Sequence, residues 1–214
     1  MTKKIEVIEN IMDENDRIAA QTQAELTERG VFCINVMGAP GVGKTSVMKR
    51  IFEHAAFRPY VIEGEIESDL DTAALQKLGI TTVQINTHGA CHLDAPSIQT
   101  ALRGVPDLRD GVLFIENIGN LVCPAEFTIG EHAKMLIVST TDGSDKPYKY
   151  PLAFEKADLI VLNKNDLTPY LDFDYDFFEK GVLLQNKHAT VIRVSARTDE
   201  GFDDVAAWIE RARG

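Results

Sequence analysis

No stretch of this chain approaches the roughly 18 consecutive apolar residues of a membrane span, so no transmembrane helix is expected. The opening segment MTKKIEVIENIMDENDRIAA has no apolar run flanked in the manner of a secretory signal, so a cytoplasmic location is expected. Positive charge is scarce: 22 Lys and Arg stand against 33 Asp and Glu, giving a formal net charge of -11. Because nucleic acid and anionic lipid are held by clustered Lys and Arg, neither is expected as a partner, which leaves small molecules, cations and proteins. Cysteine is sparse as well, with 3 in 214 residues. In a reducing compartment Cys33, Cys91 and Cys123 stay thiols, and thiols kept there are buried, catalytic or metal-binding rather than bridged. Internal repeats, low-complexity tracts and linkers are missing, and 214 residues at 44% hydrophobic suit one core rather than two. A single domain over 1–214 is expected.

What is present is an alternation of helical and strand-like segments. Ile8, Ile11, Met12, Ile18, Ala19, Thr22 and Leu26 recur at spacings near 3.6, predicting an amphipathic helix over about 5–29 that ends at Gly30. VFCINVMG follows as a continuous apolar run, the mark of a strand buried on both faces, and Cys33 within it reads as a small buried hydrophobe. PYVIEG, TTVQIN, GVLFIEN, KMLIVST, DLIVLNK and TVIRVS are further strand candidates, interleaved with helical segments such as 69–78, 94–103 and 202–213. Such alternation predicts an α/β fold with right-handed crossovers and a mostly parallel sheet covered by helices on both faces. TDGSDKPYKYP reads as the most loop-like segment.

GAPGVGKT, residues 38–45, lies between the first strand and a helix, the context that makes GxxxxGK[ST] a P-loop and the fold a P-loop NTPase. Gly38, Gly41, Val42 and Gly43 would turn backbone N–H groups toward phosphate oxygens, with Ser46 just inside the helix. Lys44 would reach the outer phosphates and Thr45 would bind Mg²⁺. NKND, residues 163–166, ends a strand-like run, and a carboxylate there accepts two hydrogen bonds from the guanine edge, a pair that adenine does not offer. Asn163 would brace the loop, Lys164 would lie along the base, Asp166 would select guanine, and Ser195 with Ala196 of VSAR would cover its edge. Glu116 ends another strand in a position that orients the Mg²⁺ shell, though Asp is the general pattern there, and Gly119 three residues on can sense a terminal phosphate. Glu65, Asp69 and Asp71 in IEGEIESDLD are candidates for the Mg²⁺ shell or for the attacking water, with a solvated acidic helix start as the competing reading. Asn120, rather than Gln, follows Gly119, no water-positioning residue is identifiable, and slow intrinsic turnover is expected.

GACHLDA, residues 89–95, sets the thiol of Cys91 beside the imidazole of His92, and Cys123 follows Glu116 by seven residues. Both segments leave the carboxyl edge of the expected sheet near the phosphate-sensing elements. Thiolate with imidazole suits Zn²⁺, Ni²⁺ or Cu rather than Mg²⁺, but three ligands fall one short of a closed four-coordinate site. A two-fold dimer would supply the rest, with His88 as an outer ligand or access group. Equally open is a reading in which Cys91 and Cys123 fill space and His92 starts a helix. His54, His132 and His188 read as surface or core groups.

GAPGVGKTS, GACHLDA, ENIGNLVCPAEFTIGE, SDKPYKYP, NKNDLTPYLDFD and VSARTDEGFD, in that order, make nearly the whole chain resemble the HypB nickel-insertion GTPases of [NiFe]-hydrogenase maturation. The related urease-maturation GTPases share the P-loop and a Cys-and-His motif but look different over 89–95 and 116–131. The resemblance implies a dimerising GTPase with GTP and GDP as ligands, and with Cys91, His92 and Cys123 holding Ni²⁺ or Zn²⁺ at a homodimer interface. It also implies a maturation partner and the hydrogenase large subunit as recipients, and a Lys146 that contacts nucleotide or the opposite subunit. Residues 1–30 lack the Cys motif or His-rich stretch of some members, so tight N-terminal nickel binding is not expected. THGACH also departs from the more usual Gly-Lys-Gly lead-in. Two rival functions remain on sequence alone: a GTP-dependent assembly switch with structural cysteines, and a metal buffer that barely hydrolyses nucleotide.

Overall fold

The computed structural model describes residues 7–64, 75, 78–87 and 89–214, with side chains from residue 12 onward. Seven strands form one sheet in the order β3-β2-β4-β1-β5-β6-β7, every pair parallel. They are β1 (Val31–Met37), β2 (Arg58–Glu63), β3 (Thr81–Gln84), β4 (Gly111–Glu116), β5 (Ala133–Ser139), β6 (Leu159–Asn163) and β7 (Thr190–Arg193). Each continuous apolar run of the sequence became a strand, because a parallel sheet with helices on both faces buries alternate residues on both sides. On one face Ile34, Val36, Phe114, Ile137 and Val161 pack with Met48 and Ile51 of α2 (Lys44–His54) and with Val205 and Ile209 of α8 (Phe202–Arg213). On the other, Cys33, Leu113 and Ile115 meet Leu26 of α1 (Val7–Glu28) and Ile98 of α3 (Ala95–Leu102). Cys33 is fully buried, and burial pushes its thiol well above the ordinary range, as a small core hydrophobe requires.

Two expectations need amending. Among the described side chains the buried stripe of α1 is Asn15, Ala19, Thr22 and Leu26, while Met12 is exposed and Ile18 only half-buried; Ile8 and Ile11 lie outside the described side chains. The stripe tolerates Asn15 because its side chain is bonded at both ends: Ala95 N–H donates to Oδ1 at 2.9 Å and Nδ2 donates to the Thr128 carbonyl at 2.9 Å. The segment read as a loop carries the short helix α5 (Lys146–Lys149) and ends in the first residue of α6 (Pro151–Lys156), after α4 (Cys123–Glu126) earlier in the chain. Pro147 and Pro151 fall in their first turns, where a missing N–H breaks no intrahelical bond. Of the expected helix over 69–78 only Leu75, Leu78 and neighbouring Gly79 lie among the described residues; α7 (Tyr175–Gln185) completes the layer over β5 and β6. Among the described residues no helix is long and apolar enough to cross a membrane.

The helices α2 and α8 are clamped by His54, whose Nδ1 lies 2.7 Å from Asp203 Oδ1 and whose Nε2 lies 3.0 Å from Asp199 Oδ1. The Asp203 carboxylate, seconded by Asp199, raises the imidazole pKa above its ordinary value. A raised folded-state pKa means that the clamp stabilises fully below the ordinary histidine value and is lost as pH rises through the folded one. Asp203→Asn is therefore expected to lower the His54 midpoint in an NMR titration and to reduce the melting temperature at pH 6 but not at pH 9. Equal losses at both pH values would contradict the clamp.

Candidate functional site

Parallel pairing brings the carboxyl ends of β1, β4, β5 and β6 to one edge, where ligands bind in open α/β sheets. The first loop from that edge is 38–43. Gly41 and Gly43 have φ of 79° and 94°, in the left-handed region open to glycine, and a Cβ at Gly43 would stand 2.7 Å from Asn163 Nδ2. The loop delivers Lys44, buried with its ammonium 3.5 Å from the Gly38 carbonyl, at the first position of α2. Ser46 borders a neighbouring cavity. Thr45 Oγ1 donates to Glu116 Oε1 at 3.4 Å, and Glu116 is itself buried, so a hydroxyl and a carboxylate oxygen converge where the loop meets β4. Hard oxygen donors of this kind fit Mg²⁺. Gly119 lies half-buried in the turn after β4. Glu65, Asp69, Asp71 and His88 lie outside the described residues.

The second loop leaves β6. Asn163 Nδ2 donates to the Val42 carbonyl at 2.9 Å while its Oδ1 accepts from Ala196 N–H at 3.1 Å, so one buried carboxamide ties the P-loop to the 195–197 turn. Lys164, held at φ 61°, donates to the Gly41 carbonyl at 2.7 Å. Ser195 Oγ donates to Asp166 Oδ1 at 2.6 Å, fixing that carboxylate at the rim of a cavity of about 320 Å³ lined by Gly43, Ser46, Asn163, Lys164, Asp166 and Ala196. Behind the loop, Tyr175 OH donates to Asn165 Oδ1 at 2.5 Å, and the Arg193 guanidinium stacks on the Tyr175 ring at 3.8 Å. Sequence reading had missed these supports. Lys146 lies in α5 with its ammonium 5.4 Å from the centre of the Tyr150 ring.

The third constellation joins the segment before α3 to α4. The ligand atoms of Cys91, His92 and Cys123 all lie within 4.8 Å of one another. The Cys91 thiol donates to Cys123 Sγ at 3.1 Å, which holds the Cys91 thiol above its ordinary pKa, and His92 Nδ1 is 3.4 Å from Cys91 Sγ. Two thiolates on one tetrahedral ion, at about 2.3 Å each, stand about 3.8 Å apart, so the cluster could accept an ion with a sub-ångström widening. Asp94 caps α3 by accepting from Ser97 N–H at 2.9 Å, which fixes where the Cys91–His92 turn ends. The Phe127 ring lies on the His92 ring with centroids 4.1 Å apart, and Asn120 Nδ2 donates to the Cys91 carbonyl at 3.4 Å. The other histidines stand elsewhere: His54 in its clamp, His188 exposed, and His132 half-buried with Nδ1 accepting from Cys33 N–H at 2.9 Å, its pKa lowered by desolvation.

An all-parallel sheet with a glycine loop feeding α2 and a base-sized cavity beside it defines a P-loop nucleotide-hydrolysing domain. Residues 32–193 match the CobW/HypB/UreG nucleotide-binding domain. The chain belongs to that family and, within it, to the HypB hydrogenase maturation factors. The hydrogenase maturation factor HypB of Azotobacter vinelandii is 46% identical over 215 residues, covering 100% of this chain and 71% of the relative. The probable HypB of Methanocaldococcus jannaschii is 35% identical over 210 residues, covering 97% of this chain and 95% of the relative. Among solved structures, HypB from Archaeoglobus fulgidus superposes with a TM-score of 0.88 at 33% identity, covering 94% of this chain and 100% of that one. HypB from Helicobacter pylori in complex with nickel gives 0.89 at 28% identity, covering 94% and 95%. Signal recognition particle 54 kDa protein from Aeropyrum pernix with GDP shares the fold alone, at 0.56 and 11% identity over 85% of this chain and 49% of that one.

Gly43→Ala is the sharpest test of the P-loop, since the added Cβ meets both a left-handed φ and the Asn163 carboxamide. Binding of a fluorescent guanine nucleotide is expected to weaken by at least about tenfold, the equivalent of about 1.4 kcal/mol. Wild-type affinity would show that the loop does not cradle phosphate.

Proposed function

We propose that this chain is a GTPase metallochaperone that carries nickel, or zinc, on Cys91, His92 and Cys123 and assists nickel insertion into [NiFe]-hydrogenase. The observation that carries the reading is the convergence of those three ligand atoms on the sheet edge that also bears the P-loop and the Asp166 cavity. A relative of 28% identity solved in complex with nickel supports the choice of cargo. The chain would act as one P-loop domain over 1–214, in the cytoplasm, as a homodimer whose second copy completes the coordination shell. A maturation partner and the hydrogenase large subunit would receive the ion.

Lys44 would hold the outer phosphates, backbone N–H groups of Gly41, Val42, Gly43 and Ser46 would surround them, and Gly119 would sense the γ-phosphate. Thr45 and Glu116, with Glu65, would hold Mg²⁺, which supplies charge neutralisation of the phosphates. Glu65 or Asp71 would act near the water that converts GTP to GDP and phosphate. Asp166, oriented by Ser195, would select guanine, with Asn163, Lys164 and Ala196 forming the surrounding walls. GTP would strengthen metal binding, and linkage then requires metal to strengthen GTP binding by the same factor.

Nickel titration with GDP and with a non-hydrolysable GTP analogue, reading affinity and particle mass together, tests the whole reading. Tighter binding and a dimer in the GTP-like state are expected, both weakened in Cys91→Ala. Nickel affinity that ignores both nucleotide and mutation would favour the assembly switch with structural cysteines. For base selection, Asp166→Asn turns an acceptor into a donor. GTP affinity is expected to fall on the order of a hundredfold as buried polar contacts go unpaired, while xanthine nucleotide, with a carbonyl in place of the amine, binds better. Unchanged guanine preference would remove Asp166 from the role.

A further inference from the structure

Beneath the Cys91, His92 and Cys123 cluster lies a layer of buried polar side chains to which the proposed chemistry assigns no part. Asn35 stands in the middle of β1 and Asn117 directly follows β4, both fully buried. Asn117 Oδ1 accepts from Leu93 N–H at 3.1 Å and from Ile118 N–H at 2.9 Å, while its Nδ2 donates to Asn35 Oδ1 at 3.1 Å. Asn35 Nδ2 donates to Glu131 Oε1 at 3.4 Å, and Glu131 accepts from Ile129 N–H at 2.7 Å and forms a close ion pair with Lys134. The Lys134 ammonium then donates to the carbonyl of Phe127 at 2.8 Å, and the Phe127 ring lies on His92. This chain of bonds starts at the residue after His92 and returns to the His92 ring.

We propose that Asn117 is the positioning residue through which the nucleotide-facing end of β4 sets the orientation of Cys91 and His92 toward a bound divalent cation. Asn117 is bonded covalently to Glu116, whose carboxylate accepts from the P-loop hydroxyl of Thr45, and its own N–H continues the ladder by donating to the Val36 carbonyl at 3.0 Å. Displacement of Glu116 therefore moves Asn117. The carboxamide has both ends engaged where water cannot substitute, so the Leu93 backbone must follow or lose its partner. Asn120 offers a parallel tie to the Cys91 carbonyl, but at 3.4 Å and exposed, where solvent competes, it transmits less.

The inference rests on the proposed coupling of nucleotide and metal, and the test separates the two. The full chain is titrated with Ni²⁺ in Mg²⁺-GDP and in Mg²⁺ with a non-hydrolysable GTP analogue, for wild type, Asn117→Ala and Asn120→Ala. Wild type and Asn120→Ala are expected to show an affinity ratio between nucleotide states of at least about fivefold, the lower end of ordinary allosteric coupling. In Asn117→Ala the ratio falls toward unity although both ligands still bind. A wild-type ratio retained in Asn117→Ala overturns the inference alone, whereas no ratio in wild type overturns the coupling as well. Because loss of a fully buried side chain can unfold the protein, amide exchange at Leu93 in the metal-free wild type supplies a second reading. Exchange that differs between GDP and the analogue at Leu93 supports the inference; exchange that responds at Thr45 but not at Leu93 overturns it.

Discussion

The register of β1 against β4, with Val36 opposite Glu116, is the constraint on which the functional edge depends. It sets the end of the strand carrying Glu116 level with the end of the strand that launches the P-loop, so Thr45 and Glu116 meet without either loop being long. A parallel ladder makes this alignment automatic for every loop leaving the same edge, which is why the 163–166 turn also reaches back to Val42 and Gly41. Slipping the pair by one residue would reverse which side chains of β4 face each layer and put Phe114 and Glu116 on the wrong sides. The alternating apolar contacts of Ile34, Val36 and Phe114 on one face and Cys33, Leu113 and Ile115 on the other forbid that slip.

The strands and the nucleotide motif were legible because their signals are local. A doubly buried strand is a continuous apolar run, and a P-loop is a short glycine pattern between a strand and a helix. The Cys91–His92 turn and Cys123 could be brought near one another from topology alone, since both follow strands of the same edge. Their ligand distances could not, because those depend on the cap at Asp94, the stacking of Phe127 and the short helix that carries Cys123. The 141–151 segment was misjudged for a physical reason too: proline and glycine mark a loop in sequence, yet proline in a first turn starts a helix.

The polar layer was illegible for a deeper reason. Asn35, Asn117 and Glu131 follow no periodicity, and the bonds that join them reach far along the chain: Asn117 to Asn35 spans 82 residues and Asn35 to Glu131 spans 96. One signal was available: an asparagine in the middle of VFCINVM, where every neighbour is apolar, must find a buried partner. Its partners are Asn117 and Glu131. Each member is satisfied by another, so the layer stabilises only as a set, and removing one partner of the Glu131–Lys134 pair would leave a buried charge at a cost of about 3–5 kcal/mol.

That arithmetic bears on why such a layer lies between two sites. A buried N–H that loses its acceptor costs about 1–3 kcal/mol, and no water is at hand to soften the loss. Coupling between two binding sites is ordinarily of that same size, about 1–3 kcal/mol. One hydrogen bond, from Leu93 to Asn117, is therefore sufficient in magnitude to link the two sites, provided that it is buried and that its acceptor is fixed from behind. Asn35 supplies that fixing. The exposed Asn120 bond, with water as a ready substitute, is cheaper to break, so coupling of the proposed kind would run through the interior rather than along the rim.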